Sequence, residues 1–398
     1  MDVPLVAAGY SGKRPHANTA TAVANVAMLA STQAKVDPML QQSAHSTAAD
    51  APPILIGGEI PLIDVSGFLA GESGAAERAA QQLRFAFENV GFYYLAGHGV
   101  PQALIDTAYA EAARFHALPI ETKLAVKVDE HNIGYMPIAR KPPPNAAAQG
   151  KKPSQNEAYF LRREKTPDHP DVLSNRRFHA MNKWPDEAAI PGFRANMLAY
   201  MGTMEGLCRK LVRLYALALG LPETFFDACF AEPHVIQRMS RYPAIDGADV
   251  SVNSLVAHTD SGFMTLLPPN KVQGLEINLP DGRWLEAPGV PDAFVVNGGD
   301  MLHRWTNERF LSTPHRVRNL SGQLRYAVPF FCDPNHDTVI ECLPSCESAD
   351  MPAKYPPIKM GDYALWFAAQ RYEHMAKVQA PSEADIAPGA RATSRWQS

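Results

Sequence analysis

His258, Thr259 and Asp260 form a His-x-Asp triplet, led in by the apolar residues Leu255, Val256 and Ala257. A second run, Phe263 to Leu267, follows it. Successive side chains of an extended chain turn to opposite faces. His258 and Asp260 then point one way and Thr259 the other. One imidazole and one carboxylate in a common space make two thirds of a metal site. The missing third must come from a distant part of the chain. The candidate is His315, which enters a strand pattern in Thr313-Pro314-His315-Arg316-Val317. The triplet alone is a weak signal, because the chain holds another, His169-Pro170-Asp171. That copy has proline at its centre and polar, proline-rich surroundings, so it reads as surface.

Two imidazoles and one carboxylate on one face of an octahedron suit Fe(II), leaving three positions open for a co-substrate and O2. A closed structural zinc site would want a fourth protein ligand, and no cysteine stands at suitable spacing. Arg325 lies in an apolar strand pattern, Leu324-Arg325-Tyr326-Ala327-Val328-Pro329-Phe330-Phe331. A guanidinium buried there needs an anion, and its planar fork suits a carboxylate. The strand itself carries no acidic residue.

These residues need elements to hold them. Residues 1 to about 52 are rich in Ala, Ser, Thr and Gln and read as a disordered tail, with a targeting peptide as the alternative. Apolar spacings of three and four predict helices over 74–90, 101–118 and 191–220. In the last of these, Met197, Met201 and Met204 read as core filling. Residues 129–185 read as irregular, either a lid or a surface insertion, because of Lys141-Pro142-Pro143-Pro144 and its surroundings, with a strand expected inside them at Glu157 to Leu161. Beyond Phe230 come eight short strand patterns separated by turns such as Pro280-Asp281-Gly282 and Asn297-Gly298-Gly299-Asp300. That pattern predicts a sandwich or jelly roll. A helix over 361–376 and a frayed end complete the chain. The division expected is a tail over 1–52, a helical and strand region over 53–230, a jelly-roll domain over 231–376 and a C-terminal tail over 377–398.

Composition narrows the class. With 46% hydrophobic and 20% charged residues, the 398-residue chain can bury a sizeable core. Its net charge of −4 and lack of a basic run argue against nucleic acid or an anionic membrane as main partner. No apolar run reaches the roughly 18 residues of a spanning helix. Five loosely spaced cysteines read as reduced thiols of a cytoplasmic protein.

Taken together, the ordered motifs resemble the 2-oxoglutarate and Fe(II)-dependent dioxygenase superfamily, in the branch that includes isopenicillin N synthase. Phe92-Tyr93-Tyr94-Leu95-Ala96-Gly97-His98-Gly99-Val100 is similar to that branch's N-terminal signature, and Val256 to Gly262 to its metal motif. His315-Arg316-Val317 and Arg325-Tyr326 resemble its distal ligand and co-substrate arginine, and Gln237 to Pro243 the strand carrying a co-substrate tyrosine. The resemblance covers about residues 58 to 375. It implies an α+β fold: a double-stranded β-helix, or jelly roll, flanked by helices, with a long backbone helix near 190–220. It implies Fe(II) on His258, Asp260 and His315. The distal carboxylate of 2-oxoglutarate would lie on Arg325 and Tyr242, and Ser240 would stand near the keto acid end. The implied reaction couples decarboxylation of 2-oxoglutarate by O2 to oxidation, most often hydroxylation, of a small organic substrate.

Ala327 departs from the family pattern, which has serine two positions after the arginine. Two alternatives within enzymes follow: an oxidase that uses no 2-oxoglutarate, and an enzyme that breaks 2-oxoglutarate down to ethylene and succinate. A jelly-roll binding module with an inert metal is the non-enzyme alternative. A monomer or weak homo-oligomer is expected. Nearby residues read as structural: His98 as a turn cap, His303 and His336 as surface or core, Arg162 and Arg163 as a solvated pair. Phe263 and Trp305 read equally as pocket lining or core.

Overall fold

Short runs rich in β-branched and aromatic residues, punctuated by glycine and proline, become strands wherever one face can be buried. The computed structural model describes residues 53–139, 153–244, 254–382 and 386. Its N-terminal half contributes β1 (Ile54–Ile56), β2 (Ile60–Asp64), β3 (Phe92–Ala96), β4 (Gly134–Met136) and β5 (Glu157–Arg162). The C-terminal half contributes β6 (His234–Tyr242), β7 (Leu255–His258), β8 (Met264–Leu267), β9 (Leu275–Asn278) and β10 (Trp284–Glu286). It continues with β11 (Phe294–Gly298), β12 (His315–Val317), β13 (Arg325–Ala327) and β14 (Phe330–Asp333). Among the described residues the major sheet has ten strands, in the order β1-β2-β3-β11-β8-β14-β6-β5-β4, with β13 also paired to β6. A four-stranded sheet runs β10-β9-β12-β7. Together they make the expected jelly-roll core, and strands from the N-terminal half extend its larger sheet.

The predicted helices form at Ala75–Asn89, Gln102–His116 and Phe193–Ala218. The longest buries Met197, Met201, Met204, Cys208, Leu211 and Tyr215 along one stripe, so the methionines are core. It packs on the other two helices and on β14. Gly91 closes the first helix in the left-handed region (φ 74°), donating to Ala86 O at 2.9 Å. The last helix, Met360–Arg371, is shorter than expected and passes into a 3-10 turn at Glu373–Met375. No helix among the described residues is long and apolar enough to cross a membrane. All five cysteines are free.

Two local expectations change. β7 stops at His258, so Asp260 is held by a turn and not by strand alternation. The strand expected over 325–331 is two strands, because Pro329 has no N–H to give to the ladder. Its carbonyl instead accepts from Arg238 N at 3.1 Å. The strand expected at Glu157 to Leu161 within 129–185 does form: β5 lies between β4 and β6 and is buried along its whole length. The proline-rich stretch 141–152, the tail 1–52 and most of 383–398 lie outside the described residues.

Candidate metal and co-substrate site

His315 and His258 are direct partners across the antiparallel β12–β7 pair, their ring centroids 4.4 Å apart. His258 Nδ1 lies 2.9 Å from Val256 O, and His315 Nδ1 lies 3.2 Å from Thr313 O. Each Nδ1 therefore donates to a carbonyl, and each Nε2 presents a lone pair, as a ligating histidine requires. Both Nε2 atoms face Asp260 Oδ1, at 3.8 and 3.7 Å. The other carboxylate oxygen, Oδ2, accepts from Thr265 Oγ1 at 2.6 Å and Asn297 Nδ2 at 2.8 Å. Thr265 and Asn297 are themselves paired across β8 and β11. The smaller sheet thus supplies the two imidazoles, while the larger sheet fixes the carboxylate between them.

Charge follows the geometry. Burial, reinforced by His315, holds His258 well below its ordinary pKa and keeps it neutral. Burial pushes the Asp260 carboxyl up, but His315, His258 and the bonds from Asn297 and Thr265 outweigh it and hold it low. Two imidazole nitrogens and one carboxylate oxygen converging from one side suit Fe(II), with the opposite side left for small ligands. Thr259 points the other way, as predicted, and donates to Asp300 Oδ2 at 3.1 Å. Asp300 also accepts from Ser312 Oγ at 2.7 Å, and its N–H donates to Asp260 O at 2.7 Å. Burial pushes the Asp300 carboxyl up to about 6. Gly262 lies against Asp333, whose carboxylate a Cβ would strike. Asp333 in turn accepts from Phe263 N at 2.6 Å.

Arg325 is 2% exposed. Its Nε donates to Val272 O at 3.1 Å, its guanidinium sits 5.1 Å from the Tyr242 ring centroid, and its Nη1 has no hydrogen-bond partner. The β13–β6 register pairs Arg325 with Tyr242 and Ala327 with Ser240, so all four side chains share one face. Ser240 Oγ is also buried without a partner. Two orphaned donors beside a buried cation fit a carboxylate, because leaving each one unmatched costs about 1–3 kcal/mol. The register sets Ser240 directly opposite Ala327, one pair along from Arg325 and Tyr242.

Other predicted residues resolve plainly. His98 accepts from Val100 N at 3.1 Å and stacks on Phe294, a turn cap as expected. Phe263 and Trp305 are core, packed with Phe226. His303 lies 2.7 Å from Phe310 O through Nδ1, away from the triad. Arg162 is not solvated: it is 3% exposed and lies over Phe178. Asp171 of the second His-x-Asp is partly buried among Lys165, Arg176 and His179. Asn297, Thr265 and Asp300 were not visible as site residues in sequence. The only signal was an acid and an amide flanking Gly298-Gly299, which reads equally as a turn.

A jelly roll holding two histidines and an aspartate beside a buried arginine defines a class of oxygenases. The family described as non-haem dioxygenase in morphine synthesis N-terminal matches residues 60–187, and the 2OG-Fe(II) oxygenase superfamily matches residues 231–334. A 2-oxoglutarate-Fe(II) type oxidoreductase of Emericella nidulans is 34% identical, over 78% of this chain and 90% of its own. Isopenicillin N synthase of Streptomyces jumonjinensis is 32% identical, over 78% of this chain and 95% of its own. Among solved structures, a full-length Neurospora crassa protein in complex with alpha-KG superposes with a TM-score of 0.69. It shares 30% identity, over 78% of this chain and 96% of that one. The chain belongs to the 2OG-Fe(II) oxygenase superfamily. It is a 2-oxoglutarate-dependent oxygenase that works with Fe(II).

Proposed function

We propose that His258 Nε2, Asp260 Oδ1 and His315 Nε2 hold the Fe(II), and that Arg325, Tyr242 and Ser240 bind the distal carboxylate of 2-oxoglutarate. The observation that carries this reading is the pairing of three converging ligand atoms with a buried, unmatched Arg325 Nη1. Bound iron and 2-oxoglutarate supply the activation of O2, with succinate and CO2 as co-products. The protein's part is to present Nε2 lone pairs, to hold Asp260 ionised through Thr265 and Asn297, and to anchor one carboxylate on Arg325. All six residues fall in 231–376, which supports taking that stretch as the oxygenase core. The substrate is a small organic molecule oxidised on the open side of the iron. Free thiols and the net charge of −4 favour a cytoplasmic protein, monomeric or weakly associating, without a nucleic acid partner.

The test is anaerobic titration of the protein with Fe(II) and then 2-oxoglutarate. A weak visible charge-transfer band is expected, lost in His315→Ala, and succinate formation once O2 is admitted. Absence of both band and succinate in the wild type refutes the assignment. Oxygen uptake that is equal with and without 2-oxoglutarate would instead place the enzyme with the oxidases that Ala327 raises.

A further inference from the structure

A second group of side chains converges outside the iron site. His179, His234 and His336 bring ring nitrogens within 4.8 Å of one another. His234 opens β6 and pairs with Asp333 at the end of β14. Eight residues at about 3.3 Å each separate it from Tyr242 along the strand, so the co-substrate arm lies about 26 Å away at the other end. The three rings and Arg162 line a cleft of about 210 Å³.

Hydrogen bonds assign most of the protons. His179 Nδ1 lies 3.0 Å from Asp171 Oδ2, and an ionised carboxylate only accepts, so Nδ1 carries the proton. His179 Nε2 is then bare and accepts from His336 Nδ1 at 2.9 Å. That leaves His336 Nε2 as a buried lone pair with no donor. His234 Nε2 accepts from Arg162 Nη1. Burial holds both His234 and His336 neutral.

Arg162 is the odd charge. The carboxylates at the cleft are matched elsewhere: Asp171 to Lys165 at 2.9 Å, Asp337 to Arg176 at 2.7 Å, and Glu232 to Arg163 at 3.8 Å. Arg162 makes no ion pair within 4 Å among the described residues, although Tyr372, Asp333 and Asp129 act on it at longer range, and its buried Nε is unmatched. A buried cation without an anion is costly. Three imidazoles can also suggest a metal. Here, however, a guanidinium already sits on the His234 lone pair, and Lys165, Arg163 and Arg176 add positive charge around it.

We propose that this cleft binds an oxyanion that also carries one O–H, the chemistry of a protonated phosphate group, free or as a monoester. Its acidic oxygens accept from Arg162 and Arg163, and its O–H donates to His336 Nε2. The anion pairs with Arg162 directly, and the hydroxyl satisfies the lone pair, two contacts that no group among the described residues makes.

Calorimetric titration tests this on the full chain, loaded anaerobically with Fe(II) and excess 2-oxoglutarate so that the iron site is filled. Inorganic phosphate should bind saturably at one site. Arg162→Gln should weaken it by about tenfold or more, the loss of one charge-assisted contact. Arg163→Gln, a partly exposed position that does not threaten folding, should weaken it by a smaller factor. Acetate, with no O–H, should bind less tightly than phosphate. Glycerol phosphate binding more tightly than phosphate would support a monoester ligand, and weaker or equal binding would support the free ion. Three results overturn the proposal: no saturable phosphate binding, phosphate binding unchanged in Arg163→Gln, or stoichiometric Zn²⁺ binding that His234→Ala abolishes.

Discussion

Ser240 and Ala327 face each other across β6 and β13, near the guanidinium proposed to anchor the co-substrate. A single hydroxyl serves this pair, and it sits on the strand opposite the one where the family pattern places it. Ala327→Ser should therefore add a donor and tighten 2-oxoglutarate by about fivefold, the equivalent of about 1 kcal/mol. Ser240→Ala should loosen it by a similar factor while Fe(II) affinity stays unchanged. Calorimetry on the metal-loaded protein reads both; an unaltered Kd in Ser240→Ala would remove that residue from the site. On the metal side, Asn297 and Thr265 hold the Asp260 oxygen that does not face the histidines. Asn297→Ala should weaken Fe(II) binding by roughly 10- to 100-fold, as loss of a partner to a ligating carboxylate does. Metal titration would show it, and wild-type affinity would mean that Thr265 suffices.

At the scale of elements, the Phe193–Ala218 helix is the support on which the sheet rests. Met204 is fully buried within its apolar stripe, on a helix that supplies none of the proposed site residues. Met204→Ala should cost about 2–5 kcal/mol from lost transfer energy plus the residual cavity. Urea unfolding should show that loss while Fe(II) affinity is retained. A large drop in metal affinity instead would show that the helix positions the site directly. The two sheets divide the labour differently. β7 and β12 present imidazoles by direct pairing, whereas β8 and β11 set the carboxylate through side chains.

Across the whole molecule, buried histidines set the response to acid. Burial lowers His179 and His374 to about 4 and holds His234 and His336 well below their ordinary value. In the unfolded chain each titrates near 6.5. Between those values the unfolded state binds more protons, so stability falls as pH drops from about 6.5 towards 4. Asp300 and Asp333, raised by burial to about 6 and about 7, act in the opposite sense, because their folded forms take up protons first. Four histidines outweigh two carboxyls, so the net slope should be a loss of stability on acidification. Below about pH 4.3 the Glu157 cluster adds to it. Burial raises that carboxyl, but bonds from His116, Tyr135 and Arg241 overcome this and hold it far below the usual range. Urea midpoints at pH 7, 5.5 and 4.5 measure the slope; a flat or rising profile on acidification would show that the carboxyls dominate.

Some of this was readable along the chain, because it depends on residues close in sequence. The apolar frame around His258 and Asp260, the strand entry at His315, the guanidinium in an apolar run and the helical methionine stripe are each local. Spacing and side-chain chemistry alone place them. Burial and cross-strand register are not local, and they decided the rest. Arg162 reads as a solvated residue until β5 is inserted between β4 and β6. Thr265 and Asn297 become carboxylate holders only once β8 pairs with β11. Ser240 meets Ala327 only through the β6–β13 register. His179, His234 and His336 come from three separate segments that share no motif, so only the packed sheet brings their nitrogens together.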